Sequence, residues 1–284
     1  MGKMKQRIIE FVVLLHLCGC ASLVVGSVVE PTVENLQRQT DLDLVCEGAP
    51  AYLLMVDSLV ADDPANSGLV LTATRAYGSY AAALEACGRK ERARTVSRRA
   101  KEYGLSLLNE CGIGGSLDSG SPGDLQTALA SCRKGQVPAL FWGGFGWATW
   151  LQRQEGDPAS LAAMVKLEQI MLRVVALDEG YYHGGPHLFL AAYYGSRPKM
   201  LGGDPEASLR HFERALALSA RSLLAVQVAY AETYARTMFD RDLYERLLRE
   251  VLDFPLESRP DLALANVIAK KRASELLAEA DLYF

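Results

Sequence analysis

Trp142, Phe145, Trp147 and Trp150 fall within nine residues and include all three tryptophans of the chain. Gly143, Gly144, Gly146 and Ala148 lie between them. An indole offers a large apolar face and one N–H donor, so the patch suits an apolar ligand with a single polar handle. Glycine inside a helix costs about 1 kcal/mol relative to alanine. Such a cost points to close backbone packing or to a ligand lying against the helix. An aromatic core seam between paired helices is the plainer reading of the same residues, and the wall of an apolar cavity is the alternative. A second cluster gathers Tyr181, Tyr182, His187, Tyr193, Tyr194, Arg197 and Lys199. From the two patches, the candidate cavity residues are Trp142, Phe145, Trp147, Trp150, Tyr181, His187, Tyr193, Tyr194 and Arg197.

Other chemistries are excluded by spacing. His183 and His187 stand four apart, but Gly184-Gly185-Pro186 between them forbids a continuous helix. No Glu occupies the position that a zinc-protease HExxH needs. There is no GxSxG elbow, no metal cluster and no paired-carboxylate motif, so no enzyme, metal or cofactor is expected. Cys111–Gly123 is rich in Gly and Ser. It lacks the Gly-Lys-Ser/Thr ending of a phosphate-binding loop and follows no strand, so it reads as a surface connection. The run Arg89, Lys90, Arg92, Arg94, Arg98, Arg99 and Lys101 is either a solvated helix face or a grip for an acidic partner or lipid headgroups. A net charge of -4 gives no reason to expect nucleic acid.

The start of the chain is a targeting segment. Lys3, Lys5 and Arg7 precede an apolar run, Ile8–Leu17, too short to span a bilayer comfortably. Leu17-Cys18-Gly19-Cys20 then fits a lipoprotein signal, with Cys20 the residue to be lipidated. A soluble secreted protein or an uncleaved anchor are the competing readings. Ala21, rather than Asp, follows Cys20 and favours the outer membrane. Several acyl chains hold a protein on a membrane far better than one. Cys46, Cys87, Cys111 and Cys132 remain in the mature chain. They contain no CxxC pair, allow three pairings, and leave buried free thiols as the alternative to disulfides.

Helices must position these groups, because no β-alternation of useful length appears. The sequence predicts helices over 50–61, 69–87, 91–108, 124–134, 137–153 and 158–177. Further ones are expected from Leu188, after Asp204-Pro205-Glu206, over 223–236, over 241–252 and over 262–282. Asp204 and Asp240 are expected caps. Ser208, Phe212 and Ala215 recur at spacings of four and three, and Ala93, Ser97 and Ala100 repeat the step. That repetition marks tetratricopeptide (TPR)-like helix pairs. The predicted fold is all-α: stacked antiparallel helix pairs of TPR-like type in a compact helical domain. Residues 1–19 form a signal peptide, 20–46 a lipidated N-terminus and tether, and 47–284 one domain.

The segment GGPHLFLAAYYGSRPKMLGGDPEASLRHFERALALS resembles the core of the T-component (TatT) family of TRAP transporters. Similar patches lie at PALFWGGFGWATWLQ and LANVIAKKRASELLAEADLYF. The resemblance implies a periplasmic lipoprotein, trimeric, with a ligand-accessible pore or cleft. It implies the periplasmic solute-binding (P) subunit as partner and contact with the membrane through the lipid anchor. A TPR-like scaffold in envelope assembly, with no small ligand, is the alternative.

Overall fold

The computed structural model describes residues 35–118, 122–154 and 158–284. The leader, Cys20 and the tether up to residue 34 lie outside the described residues. Several of the long helices begin where a short polar side chain satisfies a free N–H group. Asp41 accepts from the Leu44 amide at 2.9 Å and starts α1, Leu42–Asp62. Asn66 starts α2, Ser67–Ala86, and α3 follows over Lys90–Asn109. Short helices α4, Gly114–Asp118, and α5, Pro122–Ser131, lead to α6, Val137–Leu151, and α7, Pro158–Asp178. Then come α8, Tyr181–Gly195, and α9, Pro205–Leu218, which Asp204 caps through the Ala207 amide at 2.9 Å. Helix α10, Ala225–Ala229, runs on into one π turn, Tyr230–Ala235. Asp240 caps α11, Arg241–Asp253, and α12, Ala263–Ala278, and α13, Ala280–Tyr283, end the chain. No strand occurs among the described residues.

The repeating small-and-aromatic steps bury as their spacing requires. Ala93, Ser97 and Ala100 are buried in the α2–α3 pair, and Ser208, Phe212 and Ala215 in the α8–α9 pair. The Ser208 hydroxyl donates to the Ala191 carbonyl at 2.8 Å across that pair. The glycines of α6 serve backbone approach. A Cβ on Gly146 would stand 2.4 Å from the Ala100 carbonyl oxygen, and one on Gly143 would stand 2.8 Å from that of Gly104. Helices α3 and α6 therefore touch backbone to backbone.

Predicted boundaries differ in several places. Helix α1 begins at Leu42 and carries Pro50 inside it, because Val45, Cys46 and Ala49 already bury their side chains. Within Cys111–Gly123, Ile113 and Leu117 are buried and hold the α4 turn despite its glycines. Core burial outweighs local propensity there.

The hydrophobic interior has two main parts. One spans α1 through the middle of α8, and the other runs from Ala191 to the C-terminus. Helix α12 closes the arrangement by returning to the first helices: Leu264 packs with Val45, Cys46 and Ala83. The structure joins Cys46 to Cys87, which ties α1 to the end of α2 beside that contact, and has Cys111 and Cys132 as free thiols.

Candidate functional site

Between the two cores lies a cavity of about 570 Å³. That volume falls within the size range of small-molecule pockets, roughly 300–1,000 Å³. Its walls come from distant parts of the chain. Helix α6 supplies Phe141, Trp142, Phe145 and Thr149; α8 supplies Tyr182, Leu188, Phe189 and Tyr193. The π turn after α10 presents Thr233, and α12 presents Leu264, Ala265 and Ile268. Gln37 reaches the cavity from the segment before α1. Apolar carbon dominates this surface.

Helical periodicity divides the aromatic patch of α6. Trp142, Phe145 and Thr149 share the face that meets the cavity. Trp147 is buried in the first core, and Trp150 is half-buried with the Lys101 ammonium 4.1 Å from its ring centroid. Trp142 is the best held of the three indoles. Its Nε1 donates to the Tyr181 hydroxyl at 3.1 Å, and its ring meets those of Phe145 and Tyr182 edge-on at 5.2 and 4.7 Å. The Arg75 guanidinium lies 5.0 Å from the ring centroid, within cation–π range.

The second cluster divides as well. Tyr193 lines the cavity and carries the Arg197 guanidinium 5.0 Å from its ring centroid. Tyr194 points elsewhere and donates to Glu168 at 2.5 Å. His187 is buried, with Nδ1 2.7 Å from Nδ1 of His211 and Nε2 3.5 Å from Glu179. The latter distance is beyond an ordinary hydrogen bond, so it is an electrostatic contact. It orients the His187 Nε2–H toward the carboxylate, which leaves Nδ1 to accept from His211. Burial lowers the pKa of both imidazoles, that of His211 to about 4. Among the nine candidates, Trp142, Phe145 and Tyr193 meet at the cavity. Trp147, Trp150, Tyr181, His187, Tyr194 and Arg197 stand in the shell around it or away from it.

Tyr182 owes its place to an unusual backbone. Tyr182, His183 and Gly184 adopt φ values of 46°, 57° and 80° in succession. The left-handed region is costly for a side chain larger than glycine. The three residues turn the chain into the helix that resumes through Pro186, and they aim the Tyr182 ring at Phe141 and Trp142. At the same end of the cavity, Asp261 pairs with Arg259 at 2.7 Å, which holds its carboxyl below the usual range.

Sequence reasoning missed Leu188, Phe189, Thr233, Leu264 and Ile268 as wall residues. Their types do not differ from core residues, and only the return of α12 and the π turn place them. Asn266 was also missed. Its Oδ1 accepts from the Leu224 amide at 3.1 Å and its Nδ2 donates to the Ser222 carbonyl at 3.0 Å, which pins α12 beneath the cavity. Among the described residues, no group of three or more His, Cys, Asp or Glu side chains could hold a metal.

The family model described as TRAP transporter T-component matches residues 38–284, which include every wall of the cavity except Gln37. An uncharacterised protein of Treponema pallidum (strain Nichols) is 27% identical over 263 residues, covering 87% of this chain and 81% of its own.

Proposed function

The chain belongs to the TRAP transporter T-component family, and on that premise we propose that it holds a small hydrophobic or amphipathic ligand beside the transporter's periplasmic solute-binding (P) subunit. It is a periplasmic lipoprotein, anchored through Cys20 at the outer membrane, and its working unit is a homotrimer. The observation that carries the ligand reading is the cavity itself, an apolar chamber of about 570 Å³ walled by both halves of the chain. A ligand's apolar body would lie against Trp142, Phe145, Phe189 and Ile268. Its polar end would meet the hydroxyls of Tyr182, Tyr193 or Thr233. Burial of apolar surface at about 25 cal/mol per Å² would drive the binding. The chain's part in transport is shelter: a water-poor path for a solute that the P subunit delivers or collects.

The test uses a soluble Cys20→Ser form. Incubated with periplasmic extract of the native host, it should retain a solute-binding protein in fixed proportion. Titration with an apolar fluorescent probe should change tryptophan emission, because Trp142 stands on the wall. Recovery of envelope-assembly factors without a binding protein, and no response to the probe, would favour the scaffold instead.

A further inference from the structure

Among the described residues the disulfide leaves two cysteines, Cys111 just after α3 and Cys132 just after α5. Both are buried in the same core. They stand at the two ends of the excursion that holds α4 and α5, and that excursion returns to its origin. The Cys132 sulfur lies 3.9 Å from the Cys111 carbonyl oxygen. Other bonds hold the two ends in place. The Gln136 amide donates to the Glu110 carbonyl at 3.3 Å. Arg173 of α7 donates to the carbonyls of Cys132 at 2.5 Å and Ala130 at 3.1 Å. The two ends are thus held together by side-chain-to-carbonyl bonds that do not involve sulfur, and they place the Cys132 thiol beside that of Cys111. Neither thiol belongs to a metal-binding group among the described residues. The chain also already carries one disulfide, so it matures where thiols are oxidised.

We propose that Cys111 and Cys132 form a second disulfide, which ties the end of α3 to the end of α5 and closes the excursion between them. The reaction is thiol–disulfide exchange with a disulfide donor of the extracytoplasmic space. One cysteine thiolate attacks the donor, giving a mixed disulfide and releasing one donor thiolate. The second cysteine thiolate attacks that mixed disulfide, closes Cys111–Cys132 and releases the other. The two cysteines are oxidised, the donor is reduced to two thiols, and two protons pass from the cysteines to the donor. Timing matters. Burial, with the neighbouring Cys132 thiol adding to it, pushes the Cys111 thiol up to about 12. A thiol so raised holds almost no thiolate near neutral pH, so it reacts slowly once folded. The bridge therefore closes before the excursion packs down. The proposal does not depend on the ligand reading.

The experiment uses the full lipidated chain, recovered from the envelope of a host with intact disulfide chemistry. Acid quenching, alkylation in denaturant and peptide mapping should find Cys46, Cys87, Cys111 and Cys132 all blocked, with 111 and 132 in one cross-linked peptide. Cys111→Ser should release a single alkylatable thiol at Cys132, and Cys132→Ser one at Cys111. Where these variants do not accumulate, the map of the unsubstituted chain decides. Loss of the bridge should raise the opening equilibrium of residues 112–131, read as protease cleavage, by roughly a hundredfold. Alkylation of both Cys111 and Cys132 in a chain that keeps Cys46–Cys87 would overturn the proposal. So would a cross-link that joins either residue to Cys46 or Cys87.

Discussion

Two imidazoles meet at the seam of α8 and α9. With the His187 Nε2–H turned to Glu179, His211 donates and His187 accepts at 2.7 Å, an arrangement that needs the accepting His187 nitrogen unprotonated. Arg210 and Arg214 lie on the His211 side of the seam, and Glu179, held charged by Arg214, faces His187. The Tyr194 ring stacks on His211 at 5.8 Å, and Glu168 holds the Tyr194 hydroxyl from α7. In the unfolded chain a histidine takes its proton near pH 6.5, whereas folded His211 waits until about 4. The unfolded state therefore binds more protons between those values, and stability falls as pH drops through that window. Thermal melts should be flat above about pH 6.5 and decline toward 4. His211→Gln, which keeps a donor without the titration, should flatten the decline. Equal slopes in both proteins would contradict this account of the pair. The sequence marked His187 as a helix-start histidine but gave no sign of His211, because pairing across 24 positions leaves no local pattern.

Helices and their caps were the most legible level. Asp204 and Asp240 stand at the starts of α9 and α11, where short polar side chains before Pro-Glu and Arg-Asp announce them. The small-residue steps of α3 and α9 were readable for the same reason, since a period of 3.6 shows in any window of ten residues. The start of α1, the π turn and the left-handed run at Tyr182–Gly184 were not readable, because tertiary contacts impose them against local preference. The glycines of α6 divide the possibilities that the sequence left open. Gly146 serves backbone contact with α3. Gly146→Ala gains about 1 kcal/mol of helix propensity, yet its Cβ meets backbone that cannot swing aside. A net loss of about 1–2 kcal/mol is expected, read as a lower melting temperature; an unchanged or raised value would contradict the close approach. The disulfide joins α1 to the end of α2 beside the contact with α12. Cys46–Cys87 closes a loop of 41 positions, for which chain entropy predicts a stabilisation of about 4 kcal/mol. Paired serine substitutions should lower unfolding free energy by that order in denaturant titrations. An effect below about 1 kcal/mol would show that helix packing alone holds the contact.

At the scale of the whole molecule, the chain folds back so that its last long helix meets its first two, and the cavity lies between the parts brought together in this way. The sequence contained the aromatic side of this chamber and not the opposite side. Trp142, Phe145 and Tyr193 stand out by type, while Leu264, Ala265 and Ile268 look like the apolar stripe of a terminal cap. Gln37 on the wall sits 17 positions after Cys20. Fully extended, that segment spans at most about 60 Å, so lipid on Cys20 would keep the cavity within that distance of its membrane. Filling the chamber separates binding from folding. Ala192 of α8 and Ala265 of α12 both line it, and phenylalanine at both would occupy the space a ligand needs.

The most direct measurement is native mass spectrometry, with organic extraction, of the lipidated protein taken from its own envelope. It is run on the unsubstituted chain and on the Ala192→Phe/Ala265→Phe form, both shown folded by circular dichroism. An apolar or amphipathic compound is expected in near-stoichiometric amount with the first and none with the second. Equal occupancy of both forms, or an empty unsubstituted protein that also fails to take up apolar probes, would contradict the ligand reading.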